Sequence, residues 1–488
     1  MSKRMSRRGF LKGLGLVAAG TTLAACQPKT VIVEKEKVVT QVVKETVKET
    51  VIVEGTPQVV EKEVTKVVEK QVEKVVTATP LPAGPVTIRF PQAMGDDGQV
   101  VFEKVAAVFQ EKHPNVTVKV DPTFDWDAQK YLVQAAAGTA PDVLWGDEHW
   151  VYNLSSKGAL LDLEPFMDQS GFNKDDYDPL FQYYAFQGKQ YGLALWSATY
   201  VLNYNTKLFD EAGISYPTDE WTVDDVVDAA QKITKDTNGD GEPDIYGFYC
   251  QTGWANPWGQ FVWAFGGDFY NEDGTEFLLC KEPNYAGLQW YLDLIHKHKV
   301  APTPDVASAL AGGGNPFNLG VIGLVAGSAY SAVGYRKITE FVWDVAPMPK
   351  GPNGRYGCLT TDSLSIYRGS EAPEMAWAFI EELLTEDAAK IYCTEFKGPL
   401  PALKAGHQYF ILPDLPPKHQ QVYIDAISYG KVPMQSPYSY VVETLYYQAL
   451  GAAADGTKSL DEAMSEVCEP INIALTEEVE RVAGYGTE

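Results

Sequence analysis

Short apolar strands alternate with amphipathic helices in one part of this chain, and that alternation limits the possible folds more than any other feature. The predicted strands are 86–90, 116–120 and 142–145, and the predicted helices between them are 100–112 and 130–137. A strand–helix–strand–helix–strand order favours a parallel sheet that helices cover on both faces. We therefore predict an α/β fold in which ligand-binding residues follow the carboxyl ends of the strands.

The first 26 residues have the features of an export signal. Twin arginines lie within Ser6–Lys12, and an apolar run rich in glycine and alanine follows over 13–25. The run is shorter than the roughly 20 residues that a helix needs to cross a bilayer. It ends in the lipobox LAAC, in which Cys26 is the predicted site of lipidation. We predict a lipoprotein that the twin-arginine route exports and a lipid anchors to the outer face of the cell membrane.

Residues 27–85 are rich in valine and contain nine Lys and nine Glu. The unit Val59-Val60-Glu61-Lys62 is followed by Val67-Val68-Glu69-Lys70 at a spacing of eight. The many β-branched residues weaken a helix, and Gly55 and Pro57 interrupt one. We predict an extended or partly coiled tether, and a coiled-coil oligomerisation segment is the alternative.

The net charge of −25 is unevenly distributed along the chain. The first 26 residues are basic, residues 27–85 are neutral, and residues 86–488 carry a net charge of −30. An acidic surface repels phosphate groups. The sequence therefore argues against nucleic acid as a partner and disfavours direct binding of the folded part to anionic lipid.

Five cysteines remain if Cys26 is acylated. A compartment outside the cytoplasm permits disulfides, but an odd number of cysteines leaves at least one thiol free. The sequence leaves the pairing open, and the lack of any CxxC spacing gives no support to a zinc ribbon or a thioredoxin-type site. The five are Cys250, Cys280, Cys358, Cys393 and Cys468.

A series of short motifs follows the Pro- and Gly-rich boundary at 80–85. They are AGTAPDV at 137–143, KGALLDLEP at 157–165, GKQYGL at 188–193, LNYNTKLF at 202–209, and VWDVAPMP at 342–349, with Pro217 and Trp221 between the last two. In this order and spacing they resemble the family 1 extracellular solute-binding proteins of ABC importers, the group that includes maltose-binding protein. The resemblance covers about Val86 to Leu475.

The resemblance implies two α/β lobes that strand crossovers join and that close over a ligand like a clamshell, as in the type II periplasmic-binding-protein fold. The crossovers would lie near 193–199 and 345–364, so that the lobes are discontinuous. Lobe 1 would comprise 86–195 plus 346–396, and lobe 2 would comprise 196–345 plus 397–488. Hinge closure would give the transporter a bound state that differs from the empty one.

Aromatic rings and carboxylates supply the candidate ligand-binding residues. Rings stack on the apolar faces of sugars, and carboxylates or amides bind their hydroxyls. Aromatic residues in loops are predicted to bind ligand because of their positions in the sequence. For any one tryptophan, burial in a core is the alternative. The resemblance adds the residues after the first strand, the turn at 327–330 and the turn at 361–363. The predicted set is Gln92, Asp96, Asp147, Trp150, Trp196, Tyr200, Trp254, Trp258, Ser328, Tyr330 and Asp362.

One acidic loop resembles a calcium-binding loop. Asp236, Asn238, Asp240 and Asp244 stand at positions 1, 3, 5 and 9 of an EF-hand pattern. Position 12 is Gly247 instead of the bidentate glutamate, so the strongest ligand is missing. A structural Ca²⁺ is one reading of this loop, and an Asx turn without metal is the other. We expect no other cofactor.

The function predicted from these observations is capture of a carbohydrate, either a monosaccharide or an oligosaccharide, for delivery to the permease subunits of an ABC importer. A polyamine is also compatible with the acidic charge. A secreted hydrolase that acts on carbohydrate is the alternative, since the many carboxylates neither supply nor exclude a catalytic pair. We expect a binding protein rather than an enzyme, because the sequence has no GxSxG, HExxH or P-loop motif. A purely structural surface protein is the third possibility.

Overall fold

A computed structural model describes residues 31–53, 56–77, 84–432, 436 and 438–485. The predicted signal peptide and the lipidation site Cys26 lie outside these residues. The chain divides into two compact units, one ending at Pro80 and the other beginning at Leu81. In the part that the structure describes, no helix has the length and hydropathy that crossing a membrane requires.

The first unit contains a long antiparallel hairpin. Strand β1 covers Val31–Val53 and strand β2 covers Thr56–Thr77. Val31 lies opposite Thr77 and Val53 lies opposite Thr56, with one register shift between Val39 and Gln41. The segment is extended and contains no coiled-coil helix among its described residues. The alternative prediction of a coiled coil is therefore wrong, and the abundance of valine explains why, since β-branched side chains favour strands over helices.

The second unit alternates strands and helices. Its strands are β3 Val86–Pro91, β4 Val116–Asp121, β5 Val143–Gly146, β6 Ala185–Phe186, β7 Lys189–Gln190, β8 Leu193–Ala194, β9 Ala198–Asn205, β10 Tyr246–Tyr249, β11 Ile322–Ser328, β12 Trp343–Ala346, β13 Gly357–Thr360, β14 Ser363–Ile366 and β15 Gly430–Lys431.

The helices of the second unit include the two that the alternation predicts between the first three strands. They are α1 Gly95–Lys112, α2 Ala128–Ala136, α3 Glu148–Ser156, α4 Glu164–Ser170, α5 Thr206–Ala212, α6 Val223–Ile233, α7 Gly259–Ala264, α8 Ala286–His296, α9 Pro304–Ala311, α10 Ser331–Tyr335, α11 Pro373–Leu383, α12 Glu386–Glu395, α13 His407–Phe410, α14 Gln421–Asp425, α15 Glu443–Ala454 and α16 Leu460–Tyr485.

Helix α6 shows how the sequence sets a boundary. Thr222 and Asp225 form a capping box, in which each side chain accepts the backbone N–H of the other residue. The box satisfies amide groups that have no partner inside the helix. Val226, Ala230 and Ile233 then face the core at helical spacing and are buried. The cap fixes where the helix begins, and the apolar stripe fixes which face packs.

The strands form sheets of mixed direction. β3 and β4 are parallel, β14 lies antiparallel between β5 and β8, and β9 lies at the centre of the largest sheet, antiparallel to β11, β12 and β13. Successive residues of β9 enter different cores: Tyr200 and Leu202 pack on one face of the sheet and Val201 packs on the other. This alternation is what a strand covered on both faces requires.

The buried apolar residues of this unit form three cores. The first takes its side chains chiefly from 88–196 and 359–392. The second draws on 200–358 and 442–475, and the third lies across the large sheet from it. We call the part built around the first core lobe 1 and the part built around the other two lobe 2. The backbone passes from lobe 1 to lobe 2 between Trp196 and Tyr200, and it returns between Cys358 and Leu359.

The predicted lobe boundaries differ from these cores in several places, including the following two. Ala346, Met348 and Cys358 pack in the second core, although they were predicted for lobe 1, because β12 pairs with β9 before the chain returns. At the other end of the chain, helix α16 contacts both lobes. Its Leu475 packs in the second core and its Val482 packs in the first, so the last helix does not belong to lobe 2 alone.

One disulfide answers the pairing question that the sequence left open. Cys280 and Cys468 are bonded, which ties the loop before α8 to helix α16 across 188 positions of sequence. Cys250, Cys358 and Cys393 are buried and take no part in this disulfide. Burial raises the pKa of Cys250 and also that of Cys393, the latter to about 12, so both stay protonated at neutral pH.

Candidate functional site

The two lobes meet where residues that follow β3 face residues that follow β11. Met94 lies after β3 and packs in the first core, and Tyr330 lies after β11. The Tyr330 hydroxyl donates to the Met94 sulfur at 3.0 Å. Close by in sequence, Lys337 forms an ion pair of 3.0 Å with Asp97 of α1. These contacts mark one edge of the cleft between the lobes.

Lobe 1 contributes the first turn of α3 to this cleft. Asp147 caps the helix by accepting the backbone N–H of Trp150 at 2.9 Å. Two residues on, His149 Nδ1 lies 2.6 Å from Ser439 Oγ, a residue of the segment that leads into α15. The pKa of Asp147 is raised chiefly because the surrounding protein desolvates its carboxylate, with a further contribution from Glu443; His149 and backbone N–H groups act in the opposite direction.

Lobe 2 contains a cluster of acidic and aromatic residues around Glu443, which lies in the first turn of α15. Burial raises the pKa values of Tyr270, Tyr446 and Tyr447, and the negative charge of Glu443 raises them further. Trp258 packs against this group, with its ring 6.3 Å from that of Tyr446. Glu443 thus lies within electrostatic range of Asp147 in lobe 1 and of these tyrosines in lobe 2.

Three buried polar atoms of this cluster have no hydrogen-bond partner. They are the Tyr270 hydroxyl, the Tyr446 hydroxyl and the Trp258 indole nitrogen. Buried polar groups in proteins are nearly always satisfied, and an unsatisfied one costs free energy. Because these side chains lie within the second core, the cost belongs to the packing of lobe 2.

Exposed aromatic rings stand near this cluster on lobe 2. Trp254 is 50% exposed, and its indole N–H donates to the Tyr200 hydroxyl at 3.3 Å. Tyr200 itself is buried, which raises its pKa. Tyr330 is 40% exposed, and its pKa is raised by burial first and by the charge of Asp362 second. Tyr330 therefore lies within electrostatic range of Asp362, and Trp254 pairs with Tyr200.

Two other predicted residues, Gln92 and Ser328, hydrogen-bond to the backbone of their own loops beside the cleft. Gln92 is buried, and its side chain accepts Met94 N at 2.6 Å and donates to Gly95 O at 3.1 Å, so its amide shapes the loop after β3. Ser328 is buried, and its hydroxyl accepts Ser331 N at the start of α10. Asp96 is exposed in the first turn of α1. Gln92 and Ser328 thus position the loops and make contacts inside their own lobes.

Three of the predicted tryptophans lie in hydrophobic cores instead of on a ligand platform. Trp150 and Trp196 pack in the first core and Trp258 packs in the second, all nearly without exposure. Trp196, for example, lies edge-on to Tyr392 with ring centroids 4.8 Å apart. Their surroundings correct the prediction that they stack on ligand from a loop. The sequence places them near strand ends but does not reveal which way each ring turns.

Several residues in or beside the candidate site were not predicted from the sequence. Glu443 and Tyr270 are far from any predicted strand end, and nothing in their local sequence marks them. Phe124 and Trp126 could have been found, because they follow the predicted strand at 116–120, and ligand residues were expected after the strands. Tyr131, on the next helix, completes their ring cluster.

The acidic loop at 236–244 forms Asx turns. Asp236 accepts the backbone N–H groups of Gly239 and Gly241, and Asp240 accepts that of Glu242. Asp244 accepts the Thr237 hydroxyl. Within the described residues, no group of three or more His, Cys, Asp or Glu side chains converges as a metal site requires. These hydrogen bonds are those of an Asx turn, which was the alternative to the hypothesis of a calcium site.

Comparison with known proteins gives one family match. The model of the family "Bacterial extracellular solute-binding protein" matches residues 95–390. A binding protein of Brucella abortus (strain 2308) is 25% identical over 317 residues, which is 62% of this chain and 72% of that protein. The arabinooligosaccharide-binding protein of Halalkalibacterium halodurans is 32% identical over 211 residues, which is 41% of this chain and 44% of that protein.

Among solved structures, an ABC substrate-binding protein of Listeria monocytogenes in complex with cycloalternan is similar over 80% of this chain and 99% of its own. The two share 22% sequence identity and superpose with a TM-score of 0.71. At this identity the likeness establishes the arrangement of the backbone.

Proposed function

The chain belongs to the family of bacterial extracellular solute-binding proteins, and on that basis we propose that it captures a carbohydrate between its lobes and delivers it to an ABC importer. The observation that carries the proposal is the convergence of carboxylates and aromatic rings from both lobes. Glu443 of lobe 2 acts electrostatically on Asp147 of lobe 1. The half-exposed Trp254 immediately precedes Ala255, whose backbone N–H donates to the Tyr447 hydroxyl of the Glu443 cluster at 3.0 Å.

Membership of the family confirms the predicted two-lobed, clamshell-type α/β fold, which the likeness to the Listeria protein supports over the whole of that chain. It also places the mature protein outside the cytoplasm, as proteins of an extracellular solute-binding family are. Both conclusions agree with the resemblance found in the sequence.

The chemistry of the cluster suits a neutral polyol. Indole and phenol rings cover the apolar faces of a sugar ring, while the carboxylates of Asp147, Asp362 and Glu443 accept hydrogen bonds from its hydroxyl groups. An anionic ligand would meet like charges from three carboxylates. An arabinooligosaccharide-binding protein and a substrate-binding protein in complex with cycloalternan, both similar to this chain, support the same class.

Transport requires that the permease distinguish bound from empty protein. Contacts between the lobes, such as Tyr330 with Met94 and His149 with Ser439, form only when the lobes are close. A ligand that touches both lobes favours the closed state by its differential affinity for that state. We therefore place the signal for the permease subunits in lobe closure.

The anchor and the export route belong to the same proposal. The lipobox at Cys26 and the twin arginines support a lipid anchor and twin-arginine export. Mass spectrometry of the membrane fraction should find a diacylated Cys26 as the mature N-terminus. Recovery of an unmodified, soluble mature chain, with Cys26→Ala behaving like the parent, would contradict the anchor.

The test of the main proposal is a binding titration. Residues 81–488 are titrated with mono- and oligosaccharides, with spermidine and with glycerol 3-phosphate, while tryptophan fluorescence and melting temperature are recorded. We expect one carbohydrate series to bind and to raise the melting temperature, and we expect chromatography to find it uncleaved afterwards. Binding of spermidine or glycerol 3-phosphate alone would refute the carbohydrate proposal, and cleavage products would indicate a hydrolase.

A further inference from the structure

A shelf of aromatic rings on lobe 1 lies outside the set of residues assigned above. Trp126 is 56% exposed, and it packs edge-on against Phe124 with ring centroids 4.7 Å apart. Phe124 in turn contacts Tyr131 at 5.9 Å and Trp150 at 5.8 Å. We call Phe124 and Trp126 the outer shelf.

The exposure of Trp126 is unusual in this protein. Of the tryptophans that the structure describes, only Trp126 and Trp254 are at least half exposed. Leaving an indole in water forgoes a large part of the free energy that its burial would give. Trp254 already belongs to the candidate site, so Trp126 is the exposed tryptophan that still lacks a role.

The shelf lies at the edge of lobe 1 that faces the cleft. β3 and β4 are parallel and in register from Val86 and Val116, so the loops that follow them leave the same edge of the sheet. One of these loops carries Met94, which meets Tyr330 of lobe 2. The other loop carries the outer shelf. Through Trp150 the shelf also adjoins the first turn of α3, where Asp147 lies.

The loop that carries the shelf is held in shape. Asp125 accepts the backbone N–H of Asp127 at 3.0 Å and pairs with Lys130 at 3.1 Å. Asp127 caps α2 by accepting Gln129 N at 2.9 Å. Asp125 N donates to the Tyr131 hydroxyl at 3.3 Å. A ring on a fixed loop binds with less loss of conformational freedom than a ring on a loose one.

We propose that Trp126, supported by Phe124, forms an outer subsite that stacks a sugar ring beyond the one held at Asp147, so that the ligand is an oligosaccharide rather than a monosaccharide. This inference rests on the proposed carbohydrate-binding function. The central carboxylates bind one part of the chain, and the outer shelf binds the next part toward the lobe 1 rim.

Chain length is the variable that tests the subsite. Calorimetry measures dissociation constants of the parent protein for glucose, maltose and maltotriose, for mannose, mannobiose and mannotriose, and for arabinose, arabinobiose and arabinotriose. In the series that binds, we expect the parent to prefer the longest member. Trp126→Ala should weaken binding of that member by about five- to ten-fold and leave the shortest bound member unchanged. Trp126→Phe should restore most of the loss, because a ring is kept.

Leu319→Ala is the matched control. Leu319 is 55% exposed and precedes β11, at the end of that strand opposite to Tyr330. This variant should bind every sugar as the parent does. All variants are checked by circular dichroism and melting temperature, and Trp126→Ala should fold because its ring is largely in solvent.

The outcomes separate this inference from the proposed function. If sugars bind the parent but Trp126→Ala matches it at every length, or loses affinity equally at every length, the outer subsite is wrong while carbohydrate binding stands. If no sugar in the three series binds the parent, the proposed function fails and the inference fails with it.

Discussion

The hydroxyl of Tyr330 lies 3.0 Å from the sulfur of Met94, and these two residues belong to different lobes. Tyr330 follows the last residues of β11, and Met94 follows β3, so the contact joins the carboxyl ends of strands from both sheets. It shows that the loop after β3 in lobe 1 and the turn after β11 in lobe 2 approach each other. Tyr330 is also partly exposed beside Asp362, so one side chain can contact both a ligand and the opposite lobe.

Replacing Tyr330 should therefore separate stacking from closure. Tyr330→Ala removes both the ring and the interlobe contact, and we expect about ten-fold weaker binding of the preferred sugar. Tyr330→Phe keeps the ring and should lose about three-fold or less, since one hydroxyl contact to sulfur is weak. Calorimetry provides the measurement. Equal affinities of Tyr330→Ala and the parent would exclude Tyr330 from the site.

Asp147 should make stability depend on pH in a definite direction. Its pKa is raised in the folded protein, so the native state binds a proton more readily than the unfolded chain does. The ionised carboxylate is thus a cost at neutral pH, and that cost disappears as the pH falls through the folded pKa. Asp147→Asn keeps an N-cap for α3 and removes the charge. It should melt at a higher temperature than the parent at pH 7, and the difference should shrink toward pH 4.

Asp147→Asn should also bind sugar more weakly, because a neutral amide oxygen accepts a weaker hydrogen bond from a hydroxyl group than a charged carboxylate does. Calorimetry at pH 7 checks the affinity, and differential scanning calorimetry across pH 4–8 checks the stability. Asp224→Asn, at an exposed position of helix α6, is the control and should change neither. A stability difference that grows as the pH falls would contradict the assignment for Asp147.

Trp254 and Trp258 should respond in opposite ways to substitution by alanine. Trp254 is half exposed, so Trp254→Ala should weaken sugar binding about ten-fold and hardly change the melting temperature. Trp258 is fully buried against Phe269, so Trp258→Ala should destabilise the fold by about 3–5 kcal/mol. Urea unfolding and calorimetry measure the two effects. Strong destabilisation by Trp254→Ala would indicate a core role that its exposure does not suggest.

The disulfide between Cys280 and Cys468 should stabilise the protein, because it closes a loop of 188 residues in the unfolded chain. The double variant Cys280→Ser/Cys468→Ser should lose about 3–5 kcal/mol of the free energy of unfolding. Reductant should destabilise the parent by a similar amount and leave the double variant unchanged. Destabilisation of the double variant by reductant would mean that another pair of thiols is involved.

The acidic loop at 236–244 should need no metal. Its Asp236 and Asp240 carboxylates already bind backbone N–H groups of the loop. A bound Ca²⁺ at 100 times its dissociation constant would add about 2.7 kcal/mol. We expect the same melting temperature in 1 mM CaCl₂ and in 1 mM EDTA, and Asp240→Asn should behave alike in both. A clear rise with calcium that Asp240→Asn abolishes would restore the calcium site.

The local pattern of the sequence determined the elements at the start of lobe 1, the order of the motifs and the family. Strands at 86–91 and 116–121 follow from apolar alternation, and helix α1 follows from a stripe at helical spacing, because both depend on neighbours within a few residues. The acidic charge of the folded part and the prediction of an export signal likewise depend on composition and local order.

The tertiary structure decided which side chains face the cleft. Trp254 and Trp258 are four residues apart in one loop, yet one is exposed and the other is fully buried, because burial depends on what the rest of the chain packs against them. Glu443 joins Asp147 although almost 300 positions separate them. The tertiary structure also determines the disulfide partner of Cys280 and the contacts of α16 with both lobes. Pairings over such distances arise only when the lobes fold, since local sequence carries no information on what will approach from elsewhere in the chain.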